Sequence, residues 1–252
     1  MALRLYVEGP LAEGGEGPLP PAAARHAQVR RVQPGELLTL FDGRGGEWDA
    51  TVLSMQRQGV QVRVGAHRAV ARELPLAVTL ALGMPANERM DWLVEKATEL
   101  GATAIQPLHC ERSVLRLDGE RGARKVAHWQ AVAAAACEQS GRTRVPQLAA
   151  VCGLGEWLRA LPAAAAGPAT AAGPVPAPRR LLLSRAEGAA PFALAATGAS
   201  ALLLLSGPEG GLSAAEAAAA QAAGFEPAGL GPRVLRAETA PLAALAWAAL
   251  QR

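Results

Sequence analysis

From residue 75 onward the chain alternates uncharged apolar runs with helix-like stripes, a pattern that few architectures accept. "PLAVTLALG" (75–83) carries no charge, as befits a strand covered on both faces. In "NERMDWLVEKATELG" (87–101), Met90, Leu93, Val94, Ala97 and Leu100 recur at helical spacing, and Gly101 is placed to end the helix. "TAIQPL" (103–108) reads as the next strand, and a long helix follows over about 120–140. "LLLS" (181–184), "ALLLLSG" (201–207) and a last strand near 228–230 continue the alternation. Strands interleaved with helices in this way predict an α/β domain on a mainly parallel sheet.

The first seventy or so residues obey a different period. "ELLTLFDGRGGEWDATVLSM" (36–55) reads as two strands around a glycine-rich turn, and "GVQVRVG" (59–65) alternates strictly, with Val60, Val62 and Val64 on one face. Short strands with such turns suggest a small β-barrel over 1–72, leaving 73–252 to the α/β domain. Ahead of the strands, "ARHAQVRRV" (24–32) reads as a short helix, and 22–35 holds Arg25, His26, Arg30 and Arg31 with no acid. That is either a solvated helix face or a small footprint for phosphate. The Ala/Pro/Gly stretch within 159–180 has no periodic face and is expected to be a flexible insertion without chemistry.

Composition excludes several classes. With 25 Lys+Arg against 22 Asp+Glu, the net charge of +3 does not by itself announce a nucleic-acid partner. Cys110, Cys137 and Cys152 are odd in number and lack CxxC spacing, so neither a disulfide framework nor a zinc site is expected, and no metal is. His109 and His128 are isolated, as surface or core histidines are. "MALRLYVEGP" lacks an apolar signal core, and no run reaches the roughly 18 uncharged apolar residues of a membrane span. A soluble cytoplasmic protein is expected. No GK[ST] or GxGxxG turn occurs, which argues against nucleoside triphosphate or dinucleotide binding.

Two turns concentrate the chemistry. "LLLLSGPEGGLSAAE" (202–216) runs a strand into a loop where Gly207, Gly210 and Gly211 permit positive φ and close approach of a ligand. Ser213 and Glu216 then have capping-box spacing. "LGPRVLRAETA" (230–240) is a second glycine-bearing loop with two arginines and a glutamate, leading into the apolar helix "PLAALAWAAL" (241–250). In parallel sheets, ligands bind where such strand ends open into loops.

Taken together, "GPEGGLSAAE" and "LGPRVLRAETA" resemble the signature pair of the RsmE family, SPOUT-superfamily enzymes that methylate N3 of a uridine in small-subunit ribosomal RNA. "KATELGATAIQPLHCERS" (96–113) and "ACEQSGRTRVP" (136–146) resemble that family's internal motifs, and "RHAQVRRVQPGE" (25–36) resembles the start of its PUA-like barrel. The likeness runs over about 1–158 and 181–252, while "GMPANERMD" (83–91) lacks the lysine expected before its helix.

The resemblance implies a C-terminal α/β domain tied in a deep trefoil knot, a PUA-like N-terminal barrel, S-adenosylmethionine held by the two turns, and a homodimer acting on small-subunit ribosomal RNA or the assembled subunit. It implies cofactor contacts at Leu183, Ser184, Gly207, Pro208, Glu209, Gly210, Gly211, Leu230, Gly231, Val234, Leu235, Arg236 and Thr239. Arg236 is the expected catalytic cation at a uracil oxygen, with Glu238 accepting hydrogen bonds or orienting it; a purely structural Arg236–Glu238 pair, and a purely structural clamp at Glu209, stay open. Arg25, His26, Arg30, Arg112, Gln139, Arg142 and Arg144 are the expected RNA contacts. Two other readings remain: a non-catalytic RNA-binding module on a degenerate methyltransferase fold, and an enzyme for another cofactor such as a sugar nucleotide.

Overall fold

The valine alternation and the uncharged runs build two separate compact units, Met1–Glu73 with Ala133–Val145 and Leu74–Val132 with Pro146–Arg252. They are seen in a computed structural model that describes residues 2–57, 59–86, 88–162, 169–170, 173–174 and 177–251.

In the first unit, β1 (Leu3–Tyr6), β2 (Glu16–Pro18), α1 (Pro21–Val29), β3 (Leu37–Phe41), β4 (Glu47–Gln56) and β5 (Gly59–Arg68) follow in order. Their sheet runs β1-β3-β4-β5-β2, with β1 parallel to β3 and the remaining ladders antiparallel. Two register shifts, at Trp48/Ala50 and Val52/Ser54, interrupt the β4–β5 ladder as β-bulges do. Val60, Val62 and Val64 are buried together with Leu5, Leu38, Leu40 and Val52, and Ala23, Ala24 and Ala27 of α1 join the same cluster. Proline in the first turn of α1 costs no backbone hydrogen bond there.

One buried carboxylate organises the polar side of this unit. Glu47 is 3% exposed. Its Oε1 accepts from Arg4 Nε at 2.8 Å and from Arg72 Nη1 at 2.8 Å. Arg4 also lies over the Phe41 ring, 3.8 Å from its centroid, and donates to the carbonyls of Cys137 and Arg142. The Tyr6 amide donates to Glu138 Oε1 at 2.6 Å. These bonds are the physical reason that 133–145, placed by sequence period in the second domain, is counted with the first unit.

The second unit runs β6 (Ala77–Gly83), α2 (Glu88–Glu99), β7 (Ala104–His109), α3 (Gly119–Ser140, whose end belongs to the first unit), β8 (Gln147–Leu148), β9 (Cys152–Gly153) and α4 (Leu154–Ala160). It continues with β10 (Ala169–Thr170), β11 (Gly173–Pro174), β12 (Arg179–Leu183), β13 (Ala190–Pro191), α5 (Phe192–Ala196), β14 (Ala201–Ser206), α6 (Ala214–Ala222), β15 (Glu226–Gly229) and α7 (Thr239–Leu250). The main sheet has the order β13-β15-β12-β14-β6-β7-β8, with β9 also on β7, and every described ladder in it is parallel. Leu202–Leu205 occupy β14 at its centre and are buried on both faces. Leu203 and Leu205 pack with Ala220 and Phe225, while α7 lies against β14. Each such leucine contributes about 1.5–3 kcal/mol by leaving water.

Much of the insertion expected over 159–180 lies outside the described residues. Its ends are regular structure: Arg159 and Ala160 finish α4, and Arg179 and Arg180 begin β12. The buried Arg180 donates to Pro162 O at 2.6 Å and to Ala223 O at 2.7 Å.

Glu47→Ala removes the carboxylate shared by Arg4, Arg68 and Arg72 and is expected to lower the unfolding free energy by about 3–5 kcal/mol in urea titration. Burial opposes ionisation of Glu47, but the hydrogen bonds from Arg72 and Arg4 outweigh it and hold its carboxyl below the ordinary range. The stability it confers is therefore complete above the ordinary carboxylate range and fades as pH falls through the lower folded value.

Candidate active site

Because the ladders are parallel, the carboxyl ends of β12, β14 and β15 open onto one edge of the sheet. A cavity of ≈ 320 Å³ lies there, within the size class of small-molecule sites. Leu183, Ser184, Gly207, Pro208, Glu209, Gly211, Leu230, Gly231, Val234, Leu235 and Arg236 all line it. Gly210 and Thr239 do not. The Gly210 carbonyl accepts from Arg112 Nη1 at 3.1 Å, and Thr239 opens α7. Sequence pattern missed Leu182, Arg185, Ser206, Leu212, Ala217, Ala228, Arg233, Ala237 and Ala240. Leu182, Ala217, Ala228 and Ala240 are apolar strand or helix residues, with no signal beyond their adjacency to the turns. Arg233, inside the quoted loop, was legible.

The three glycines of the first turn do different work. Only Gly211 has a positive φ, +68°. At Gly207 a Cβ would meet Leu212 N at 2.9 Å, and at Gly210 it would meet Arg112 Cβ at 2.9 Å, so both are small because neighbours crowd them. Cβ atoms built at Gly211 or at Gly231 (φ +98°) would meet nothing within 4 Å, leaving main chain open to a ligand. The turn is fastened from outside. Glu209 Oε1 accepts from the Ala86 amide at 2.9 Å and from Arg89 Nη1 at 3.3 Å. The capping box is made: Glu216 N donates to Ser213 Oγ at 3.2 Å and Ser213 N donates to Glu216 Oε2 at 2.9 Å. Glu216 Oε1 also accepts from the Glu111 amide at 2.7 Å.

The lining is electrostatically lopsided. Arg185, Arg233 and Arg236 are exposed, line the cavity and have no ion pair among the described residues. The sole acidic lining residue, Glu209, is already engaged. Such a cavity suits a ligand with a flat apolar part and a partner that gains negative charge. Glu238 behaves otherwise than expected. It is 8% exposed, stands outside the lining, and its Oε1 lies 4.0 Å from Arg89 Nε. No ion pair joins it to Arg236, so it does not hold that guanidinium by direct contact. Cys110 is buried beneath the turn, and burial pushes its thiol up to about 12, so no thiolate serves as a nucleophile there.

Of the expected RNA contacts, Arg25, Arg30, Gln139 and Arg144 are exposed in the first unit. His26 is half-buried, its Nδ1 3.3 Å from Glu138 Oε2. His26, Arg30 and Gln139 share a cleft of ≈ 810 Å³ with Arg4, Glu36 and Leu37. Arg142 is a correction. It is 4% exposed and donates to Glu73 Oε2 from Nε at 3.0 Å and from Nη2 at 2.5 Å, so it holds the fold rather than facing solvent. Arg112, in the second unit, is exposed and tied to Gly210.

A family model described as an RNA methyltransferase domain matches residues 72–249, and one described as an RNA methyltransferase PUA domain matches 19–65. The chain is 32% identical over 222 residues to the ribosomal RNA small subunit methyltransferase E of Bacillus subtilis, covering 86% of this chain and 82% of that protein. It superposes with a TM-score of 0.87 on the crystal structure of a ribosomal RNA small subunit methyltransferase E from Neisseria gonorrhoeae bound to S-adenosylmethionine, at 36% identity and covering 98% and 96% of the two chains. A Legionella pneumophila putative methyltransferase in complex with the same cofactor gives 0.87, at 32% identity, over 98% and 97%.

The cavity's first turn rests on the end of β6, where a Cβ at Gly83 would meet Pro208 Cδ at 2.5 Å and Pro208 N at 2.6 Å. Gly83→Ala is expected to cost about 1–3 kcal/mol in chemical denaturation. Gly155→Ala, inside α4 with only Arg159 Nη1 nearby at 3.6 Å, should be neutral or stabilising by up to about 1 kcal/mol.

Proposed function

The chain belongs to the ribosomal RNA small subunit methyltransferase E family, and from that premise we propose that it methylates N3 of one uridine in 16S ribosomal RNA, using S-adenosylmethionine. The observation that carries this reading is the single cavity into which the β14 and β15 turns both project open main chain. Its donor set fits the cofactor: leucines from several elements offer apolar walls for a flat heterocycle, and the turns at Gly211 and Gly231 let backbone approach its polar edges. When bound, S-adenosylmethionine supplies an electrophilic sulfonium methyl.

What the chain itself contributes is alignment and charge. Uridine N3 carries a proton at neutral pH and must lose it before or during attack. Negative charge then spreads onto the uracil oxygens, and Arg236, unpaired at the cavity wall, is the cation suited to meet it. Holding nucleobase and methyl donor in line contributes up to about 7–11 kcal/mol in ideal cases. Leu183, Ser184, Gly207, Leu230 and Leu235 are assigned to cofactor contact, with Gly210, outside the lining, shaping the turn.

Arg25, His26, Arg30, Gln139 and Arg144, together with Arg112, are assigned to RNA, and phosphate contacts from them make binding salt-dependent. The ≈ 810 Å³ cleft at His26, Arg30 and Gln139 supports that assignment. We further assign the enzyme to the cytoplasm as a homodimer acting on small-subunit RNA, free or assembled; exposed Trp92, Val234 and Leu250 in the second unit support a self-association surface. No described helix is long and apolar enough to cross a membrane. A trefoil-knotted path is part of the same reading, supported by β12 lying between the later strands β14 and β15. A non-catalytic RNA-binding module would not need both open turns and three unpaired arginines.

Deleting the gene is expected to remove one N3-methyluridine from small-subunit ribosomal RNA in mass-spectrometric mapping. A wild-type copy restores it and an Arg236→Ala copy does not, although the variant still binds S-adenosylmethionine in calorimetry. An unchanged methylation pattern on deletion, or a well-folded wild-type protein that binds no S-adenosylmethionine, overturns the reading.

A further inference from the structure

Arg89 stands in the first turn of α2, directly after the loop leaving β6, and reaches across to both cofactor-site turns. Its Nη1 lies 3.3 Å from Glu209 Oε1, in the turn after β14. Its Nε lies 4.0 Å from Glu238 Oε1, in the turn after β15. Glu209 has a second anchor, the Ala86 amide at 2.9 Å. Glu238 has none: it is 8% exposed, its Oε2 is buried without a hydrogen-bond partner among the described residues, and Arg89 is the one basic group within 4.0 Å of it there. A carboxylate so enclosed depends on a cation to remain in place.

We propose that Arg89 is a positioning residue that fixes the Arg236 turn against the Gly207–Gly211 turn, by bridging Glu238 to Glu209. The bridge requires a guanidinium. Its Nη1 donates to Glu209 while its Nε, in the same rigid plane, stands 4.0 Å from Glu238, whereas an ammonium is a single point charge. The two carboxylates are not equivalent. Loss of Arg89 leaves Glu209, and with it the first turn, held by the Ala86 amide. The same loss frees Glu238, two residues from Arg236 and at the head of α7. The effect therefore falls on the alignment supplied by the second turn rather than on cofactor affinity. This inference rests on the S-adenosylmethionine-dependent reading above.

Steady-state methylation of small-subunit RNA by the full chain tests it, with wild type, Arg89→Ala and Arg89→Lys compared well below their thermal midpoints. Arg89→Ala is expected to lose about 10- to 100-fold in kcat, the scale set by small misplacements at a reacting centre. Its KM for S-adenosylmethionine should rise by no more than about threefold, the signature of an interaction that matters in the transition state. RNA affinity should be unchanged, and Arg89→Lys should stay closer to Arg89→Ala than to wild type. Wild-type kcat in Arg89→Ala overturns the proposal. So does a matching loss of RNA affinity, which would make Arg89 an RNA contact, and so does full recovery with lysine. If Arg89→Ala does not fold, Arg89→Lys, which keeps a cation beside Glu238, decides alone. Failure of the wild type to bind S-adenosylmethionine would instead strike the proposed function.

Discussion

In a parallel ladder all strands point one way, so the loops at their carboxyl ends leave from a single edge. That constraint produces the site. β12, β14 and β15 are neighbours in a sheet whose described ladders are all parallel, and their exits converge without any long-range steering of side chains. The constraint has a cost in composition. Central strands of such a sheet are covered on both faces, which is why Leu202–Leu205 carry no alternation and why the chain spends so many aliphatic residues there. With the walls committed to packing, ligand chemistry falls to main chain and to a few long polar side chains at the rim.

The arginines of the two units are used in opposite senses. Arg4, Arg72, Arg142 and Arg180 are absorbed by buried carboxylates and carbonyls and act as cross-braces. Arg185, Arg233 and Arg236 are left without acidic partners at the cavity. Sequence cannot sort the two groups, because the sorting depends on which carboxylate lies opposite. Glu73 faces Arg142 across a sequence separation of 69 residues, and Glu209 faces Arg89 across 120.

The fold was largely legible because it rests on periodicity. The valines of β5, the stripe of α2 and the apolar runs of β6 and β14 appear where spacing puts them. The short helices α4 and α5 were not readable, being too brief to show a period. Nor was the assignment of 133–145 to the first unit, which hydrogen bonds from Arg4 and Tyr6 impose on a helix that looks continuous in sequence. At the site, the two turns were legible from glycine and charge. Misread were the reasons for individual residues: Gly207 and Gly210 as flexible positions when they are crowded ones, Arg142 as a ligand contact when it is a brace, and Glu238 as a partner of Arg236. Each error concerns a neighbour far away in the chain.

The guanidinium of Arg180 grips a carbonyl at Pro162, where the chain departs from regular structure, and another at Ala223, beyond α6. Departure and return of the alanine- and proline-rich stretch are thereby stapled to one rigid point. Arg180 is thus a clasp at the amino end of β12: one side chain clamps the exits of α4 and α6 onto the central sheet, at the end of the strand opposite the turns that line the cavity.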